Sequence, residues 1–333
     1  MVADYRFGKR MTQIHIATFA CKACGNMRGH RLYYPREMLF GTGEEFEYLE
    51  CGYCGCLQIT EIPADLGKYY PSSSYYSYTP RRTKQYPAWM MRLRERRSRA
   101  FVGEGDPLGR VLAYFSRENE HFSWVRNAGG NLDWRVLDVG CGTGKLILQM
   151  HRDGFKNICG LDAFIENEIN YGNGVRVYKK FLSQLEGTYD FLMLHHSYEH
   201  MPDPLETLRE LRRLVSPQGC VLIRLPLADS YARRRYGVHW FAWDAPRHLF
   251  LHTVKSMHVL AEKAGFSISS VVYDAWQQQF EAEARIRHGL APGVPKSPSF
   301  TTAEAQAIRR MKKELNDLRD GDQAGFYLHP INS

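Results

Sequence analysis

The chain has no run approaching the ~18 apolar residues that a membrane crossing needs, and Met1 to Ala20 lacks the continuous apolar segment of a secretory signal. Both absences lead us to expect a cytoplasmic chain with no transmembrane segment. Cysteine is also scarce. Eight in 333 residues are too few for a disulfide scaffold, and four of them fall in two C-x-x-C pairs, a distribution that favours metal over disulfides. No internal repeat is visible. Acidic residues are the minority, 36 against 44 basic ones, for a formal net charge of +8. That balance would suit nucleic acid, a nucleotide-linked substrate or a membrane surface, and does not choose among them. Apolar residues are plentiful at 44%, enough for one large domain with one or two small attachments.

Three regions are expected. Residues 1–65 read as a small β-rich module around Cys21, Cys24, Cys51 and Cys54. Residues 66–130 read as a linker and helical cap: the segment KYYPSSSYYSYTP is taken as ordered because its aromatics would otherwise meet water, and a helix is predicted from Ala88 to Phe101. From 131 to 333, β-type runs (RVLDV, NICGLD, VRVY, YDFLML, CVLIRLP) alternate with helical patterns, which predicts a parallel α/β sheet. A helical insertion at about 276–318 follows the strand FSISSVVYD, and AGFYLH is predicted to return to the sheet.

LDVGCGTG, residues 137–144, joins an apolar strand to a helix, the context in which a glycine-rich turn is informative. Its glycines, Gly140, Gly142 and Gly144, let backbone approach a ligand. Lys145 stands where a dinucleotide fingerprint would place its third glycine or alanine, so an NAD reading loses ground. Asp138 would repel a pyrophosphate and attract a ligand carrying ammonium and sulfonium charges, as S-adenosylmethionine (SAM) does. Asp162 ends the next strand, where a carboxylate can accept hydrogen bonds from ribose hydroxyls.

Cys21-x-x-Cys24-Gly25 and Cys51-x-x-Cys54-Gly55 are two knuckles, each able to present two thiolates to one zinc ion. The 26 intervening residues exceed the usual spacing, but a longer loop costs only about 0.6 kcal/mol per doubling. Four thiolates leave no open coordination position, so the expected zinc is structural. Cys56 is left over as a small core residue.

With these motifs in hand, the stretch from Val136 to Gly265, including YDFLMLHHSYEHMPDP and LRRLVSPQGCVLIRLP, resembles the class I SAM-dependent methyltransferases. The resemblance implies a Rossmann-like seven-stranded sheet with an antiparallel final strand. It also implies a cofactor site at Asp138, Gly140, Cys141, Gly142, Gly144, Asp162 and Ala163. Where the family often sets an acidic residue against adenine, this chain has Lys179, Lys180, Phe181 and Leu182, so adenine is expected to pack on Phe181 or Leu182. The two knuckles, the tyrosine-rich segment and WDAPRHLFLHT are similar to bacterial methyltransferases of surface-polysaccharide and modified-sugar biosynthesis.

Methyl transfer needs an acceptor held in line and, for a hydroxyl or carbon acid, a base. In HHSYEH the candidates are His195, His196, Glu199 and His200; His196 and Ser197 are expected against the cofactor, and Glu199 and His200 as caps of the next helix. A second set, His239, Asp244, Arg247 and His248, lies where the family places substrate-facing residues. His196, His239, Asp244 and His248 are therefore the candidate catalytic residues. Arg233 to Arg235 would grip a substrate phosphate, and RLRERRSR, residues 92–99, reads as a solvated helix face.

The expected activity is methylation of a hydroxyl or carbon on a sugar or glycan precursor, nucleotide- or lipid-linked. The alternatives are an RNA methyltransferase gripping phosphates with the zinc module and basic helix, or a non-catalytic SAM-binding protein. The oligomeric state is left open.

Overall fold

A computed structural model describes residues 19–70, 86–275 and 301–331. Most of the tyrosine-rich segment and the first part of the expected helical insertion lie outside these residues. Two sheets organise the rest. The larger has the strand order β11-β12-β9-β8-β4-β5-β7-β6. Its members are β4 (Val136–Val139), β5 (Ile158–Leu161), β6 (Ile169–Asn170), β7 (Arg176–Tyr178), β8 (Tyr189–His195), β9 (Val215–Pro226), β11 (Phe266–Tyr273) and β12 (Gln323–Pro330). β7, β5, β4, β8 and β9 run parallel, and β12 runs antiparallel to both β9 and β11.

Parallel strands covered on both faces must be apolar on both. That is why β8 reads FLML without a break, and alternation then sorts its side chains. Leu192 and Leu194, with Val221 and Ile223 of β9, join one core cluster, whereas Phe191 and Met193, with Cys220 and Leu222, join the other. The antiparallel return of AGFYLH agrees with the sequence expectation, since β12 pairs with β9 from Gln323↔Pro226 to Leu328↔Val221. The sheet has eight strands where seven were expected. The addition is β6, a two-residue antiparallel partner of β7. It folds back because Asn170 and Asn173 accept the amides of Gly172 and Val175 in side-chain turns, with Gly172 and Gly174 in the left-handed region.

The smaller sheet has the order β1-β2-β3-β10, with β1 (Arg31–Tyr33), β2 (Tyr48–Glu50) and β3 (Leu57–Ile59) from the cysteine-bearing segment. Its fourth strand, β10 (Phe250–Leu251), comes from nearly 200 residues further on: Phe250 pairs with Gln58 and Leu251 with Leu57. One apolar cluster accordingly contains Tyr48 and Leu57 together with Trp243, Phe250 and Leu260.

A buried charge ties the segments. Arg247 is fully buried, its guanidinium shared by Glu37 (2.9 Å), Asp244 (3.0 Å) and the carbonyl of Tyr69 (3.3 Å). Glu37 is itself fully buried and accepts the amides of Leu39, Phe40 and Thr42, so it holds its own loop while facing the guanidinium. Arg247, expected from the sequence among the substrate-facing residues, is instead committed to two carboxylates, one of which belongs to the N-terminal segment.

Candidate active site

The loop after β4 is bound to β5: the amides of Gly140 and Cys141 both donate to Leu161 O, at 2.7 and 3.3 Å. Gly142 N–H donates to Asp162 Oδ2 at 2.8 Å. Gly140, Gly142 and Gly144 all have positive φ (+74°, +55° and +78°), where a side chain is strained. A Cβ on Gly140 would stand 2.4 Å from Ser197 Cβ, and one on Gly144 would stand 2.9 Å from Val177 Cγ2. The loop then enters the helix Lys145–Arg152, with Gly144 in the left-handed region at its N-cap.

Asp138 is buried below this loop. Burial, and then the charge of Asp162, push its carboxyl up to about 8. Two carboxylates in a low-dielectric pocket favour a cationic ligand over a phosphate. Asp162 holds the amides of Gly142 and of Phe164 (2.9 Å), so its oxygens already organise the turn. Ala163 follows, partly exposed at the end of β5. Phe164 and Phe181, 78% and 60% exposed, stand edge to face with ring centroids 6.5 Å apart, and Leu182 lies beside Phe181. Phe164, a large apolar residue two places after the strand-end Asp162, is not among the residues the sequence singles out. Lys179 and Lys180 are turned to other partners, the carbonyl of Glu166 and the ring of Tyr178.

Ser197 joins the loop to the histidines. Its Oγ donates to Val139 O at 2.8 Å, and its Cβ fills the space beside Gly140. His196, next to it, has φ +52°, a left-handed conformation that is strained for a residue with a Cβ. Its neighbour His195 alternates to the opposite side, its ring tilted 36° to that of Trp124 with centroids 4.3 Å apart, and is pushed well below its ordinary pKa by burial and by Arg224.

Glu199 and His200 are not caps. The helix Pro204–Leu214 is capped by Asp203, whose carboxylate accepts the Glu206 amide, and Glu199 lies in a short turn before it. The Glu199 carboxylate is buried, 3.4 Å from His196 Nδ1 and 3.8 Å from His248 Nε2. Burial would raise its pKa, but contact with His196 and the charges of His196, His248 and His200 prevail and hold it at about 2. The structure thus brings together His196, Glu199, His200 and His248, with Asp244 3.9 Å from His248 Nε2. Asp244 has φ +36° and is held by Arg247. His239 is exposed at the end of the turn Gly237–His239 and is not part of this cluster.

Trp240 and Trp243 are core residues, with indole N–H groups donating to Asp322 and to Gly237 O, whereas Phe241 between them is substantially exposed. The arginines expected to grip phosphate are mostly engaged within the chain. Arg233 lies over Tyr33 and Trp243, and Arg234 pairs with Asp320, which leaves Arg235 as the one exposed arginine of the trio without a described partner. On the basic helix, Arg96, Arg97 and Arg99 pair with Asp106, Asp153 and Asp133. That intramolecular pairing weakens a phosphate-gripping role.

The four knuckle cysteines converge. Cys21 and Cys54 Sγ are 3.7 Å apart, Cys24 and Cys51 Sγ 3.5 Å, and all four lie within 4.8 Å of one another. A zinc–sulfur bond of about 2.3 Å gives a tetrahedral edge of roughly 3.8 Å, so the sulfurs fit the ion. Amides of Asn26 and Tyr53 point at Cys24 and Cys51 Sγ, as thiolate ligands require. Cys56 is a buried core residue beside His252.

A model of a methyltransferase domain matches residues 83–271, more than half of the chain. The chain belongs to this methyltransferase family. Curated relatives include the ubiquinone biosynthesis O-methyltransferases of Cronobacter sakazakii (32% identical over 136 residues, 36% of this chain and 51% of that one) and Erwinia tasmaniensis (30% over 129 residues, 35% and 50%). The chain spans about half the length of these relatives. A SAM-dependent methyltransferase of known structure from Mesorhizobium loti is 17% identical, with a TM-score of 0.38 over 59% of this chain and 90% of that one.

The close fit of Ser197 against the loop is testable through Gly140→Ala. We expect a loss of about 2–5 kcal/mol in chemical denaturation, combining a left-handed alanine (~1–2) with overpacking (~1–3). A loss below about 1 kcal/mol would mean that Ser197 yields without cost.

Proposed function

We propose that this methyltransferase O-methylates a small acceptor, with His196 accepting the hydroxyl proton. The observation that carries the proposal is that Ser197 abuts Gly140 while its neighbour His196 lies 3.4 Å from the buried carboxylate of Glu199, which supports reading this pair as lying beside the glycine loop. In this reading the backbone of Gly140, Cys141, Gly142 and Gly144 forms the cofactor cradle, and Asp138 faces the ammonium and sulfonium charges. Asp162 and Ala163 border the ribose. Phe164, Phe181 and Leu182 border the adenine, the two phenylalanines offering exposed ring faces to it. Bound SAM supplies a methyl group already activated by its sulfonium.

The chain's own task is to hold an oxygen in line and take its proton. Glu199 suits a positioning role: a buried carboxylate at His196 Nδ1 orients the ring and stabilises the imidazolium that forms. His248 and Asp244 border the acceptor side, and His239 takes no part. The cysteine module acts as a zinc-bound scaffold, supplying Glu37 to Arg247 and so holding Asp244. The names of the relatives, ubiquinone biosynthesis O-methyltransferases, support transfer to oxygen, and a polysaccharide setting gains no support from them.

The experiment is transfer of labelled methyl from SAM to a panel of nucleotide-linked sugars and polyhydroxylated phenols. Transfer to oxygen is expected, and His196→Ala is expected to lower kcat about 10²–10⁴-fold while SAM binding persists. Transfer to carbon or nitrogen alone, or an unchanged kcat in the variant, would sink the assignment.

Asp138 gives a pH signature. In the empty site its carboxyl, at about 8, is mostly protonated at neutral pH, whereas a bound cation stabilises the ionised form. Binding should therefore release a proton, and SAM affinity by calorimetry should rise about tenfold per pH unit up to about pH 8 and then level off. Asp138→Asn should flatten that rise; a pH-independent wild-type affinity would contradict the contact.

A further inference from the structure

We propose that Glu199, His200 and His248 form a second metal centre, binding a divalent first-row transition-metal ion on the acceptor side of the site. Each residue offers one ligand atom, and these atoms lie within 4.8 Å of one another. Ligand bonds of about 2.0–2.2 Å would put neighbouring donors roughly 3.4 Å apart, so the three need only close by an ångström or so around an ion.

The hydrogen bonds around the imidazoles point the same way. His200 Nδ1 lies 2.8 Å from Arg247 O, and His248 Nδ1 lies 2.8 Å from Ala242 O. A carbonyl can only accept, so both Nδ1 atoms carry a proton, and in the neutral rings both Nε2 atoms present a lone pair. Metal-binding histidines are oriented in this way, by a carbonyl on the nitrogen away from the ion. Glu199 supplies the independent observation: it is 1% exposed, and its nearest polar side-chain groups, His196 Nδ1 at 3.4 Å and His248 Nε2 at 3.8 Å, do not give either carboxylate oxygen a well-formed hydrogen bond. Leaving a buried carboxylate so poorly satisfied is costly, and a cation between it and two imidazole lone pairs would remove the cost.

Two imidazoles and one carboxylate leave coordination positions open, unlike the closed four-cysteine shell. Their nitrogen and oxygen donors select zinc, cobalt, manganese or ferrous iron over magnesium or calcium. The site's role rests on the proposed O-methylation: the ion binds the acceptor oxygen and weakens its O–H bond. The proton passes to His196, and the oxygen lone pair forms the bond to the methyl carbon as the carbon–sulfur bond breaks.

The test is a cobalt titration of the full-length, zinc-loaded protein. We expect one Co2+ per chain beyond the cysteine-bound zinc, with visible d–d bands and no sulfur-to-cobalt charge transfer. Glu199→Gln and His248→Ala should each weaken binding at least tenfold while calorimetric SAM binding persists, which shows that they fold; His200→Asn serves if either does not. No cobalt beyond the cysteine site, or variants that bind it as wild type does, would overturn the centre. Cobalt binding without methyl transfer to oxygen would overturn the reaction reading and leave the metal centre standing. Transfer to oxygen without cobalt binding would do the reverse.

Discussion

Gly140 and Ser197 occupy space that admits only one of them with a side chain, since a Cβ on the glycine would lie 2.4 Å from that of the serine. This exclusion brings the ends of β4 and β8 together at the carboxyl edge of the sheet, where open α/β folds bind their ligands. In the proposed reading the backbone of one strand end forms the wall of a cofactor cradle, and the side chains of the other supply its chemistry. His196 is forced to positive φ at the same corner. Strain of that kind persists only where its surroundings over-determine it. Here they are the Ser197 hydrogen bond to Val139 O and the His196 amide bond to Arg224 O.

The second constraint is the buried guanidinium of Arg247. A charge taken fully out of water needs several partners, and this one takes them from three parts of the chain: Glu37, Tyr69 and Asp244. Tyr48 adds a hydrogen bond to His248 O at 2.7 Å, and Thr253 one to Cys54 O at 2.6 Å. The cysteine-bearing segment is thereby part of the wall around His248 and Asp244. A structural metal in that segment would act on the reaction indirectly, by keeping those contacts in register.

Much of the large sheet could be read from sequence because parallel strands covered on both sides are unbroken apolar runs, as in FLML. The glycine loop was readable because close backbone approach leaves glycine little substitute, and the knuckles because their spacing sets two sulfurs on one edge of a tetrahedron. What escaped depends on long-range pairing. Nothing local in PRHLFL says that Phe250 will pair with Gln58, or that Arg247 will meet a glutamate 210 residues away. Glu199 looked like a helix cap because it precedes a helix; the fold instead turns it toward His248, far along the chain. The strand β6 was readable in principle, since NYGNG is a turn signal between two short strands.

The claim on which the account turns is that the glycine loop and the His196–Glu199 pair line one cavity. A crystal structure with S-adenosylhomocysteine tests it most directly. The account predicts the product's amino group beside Asp138, its adenine against Phe164 or Phe181, and its sulfur facing the side of the pocket that holds His196. Density for the product elsewhere, or a sulfur turned away from His196 with the protein wall between them, would contradict it.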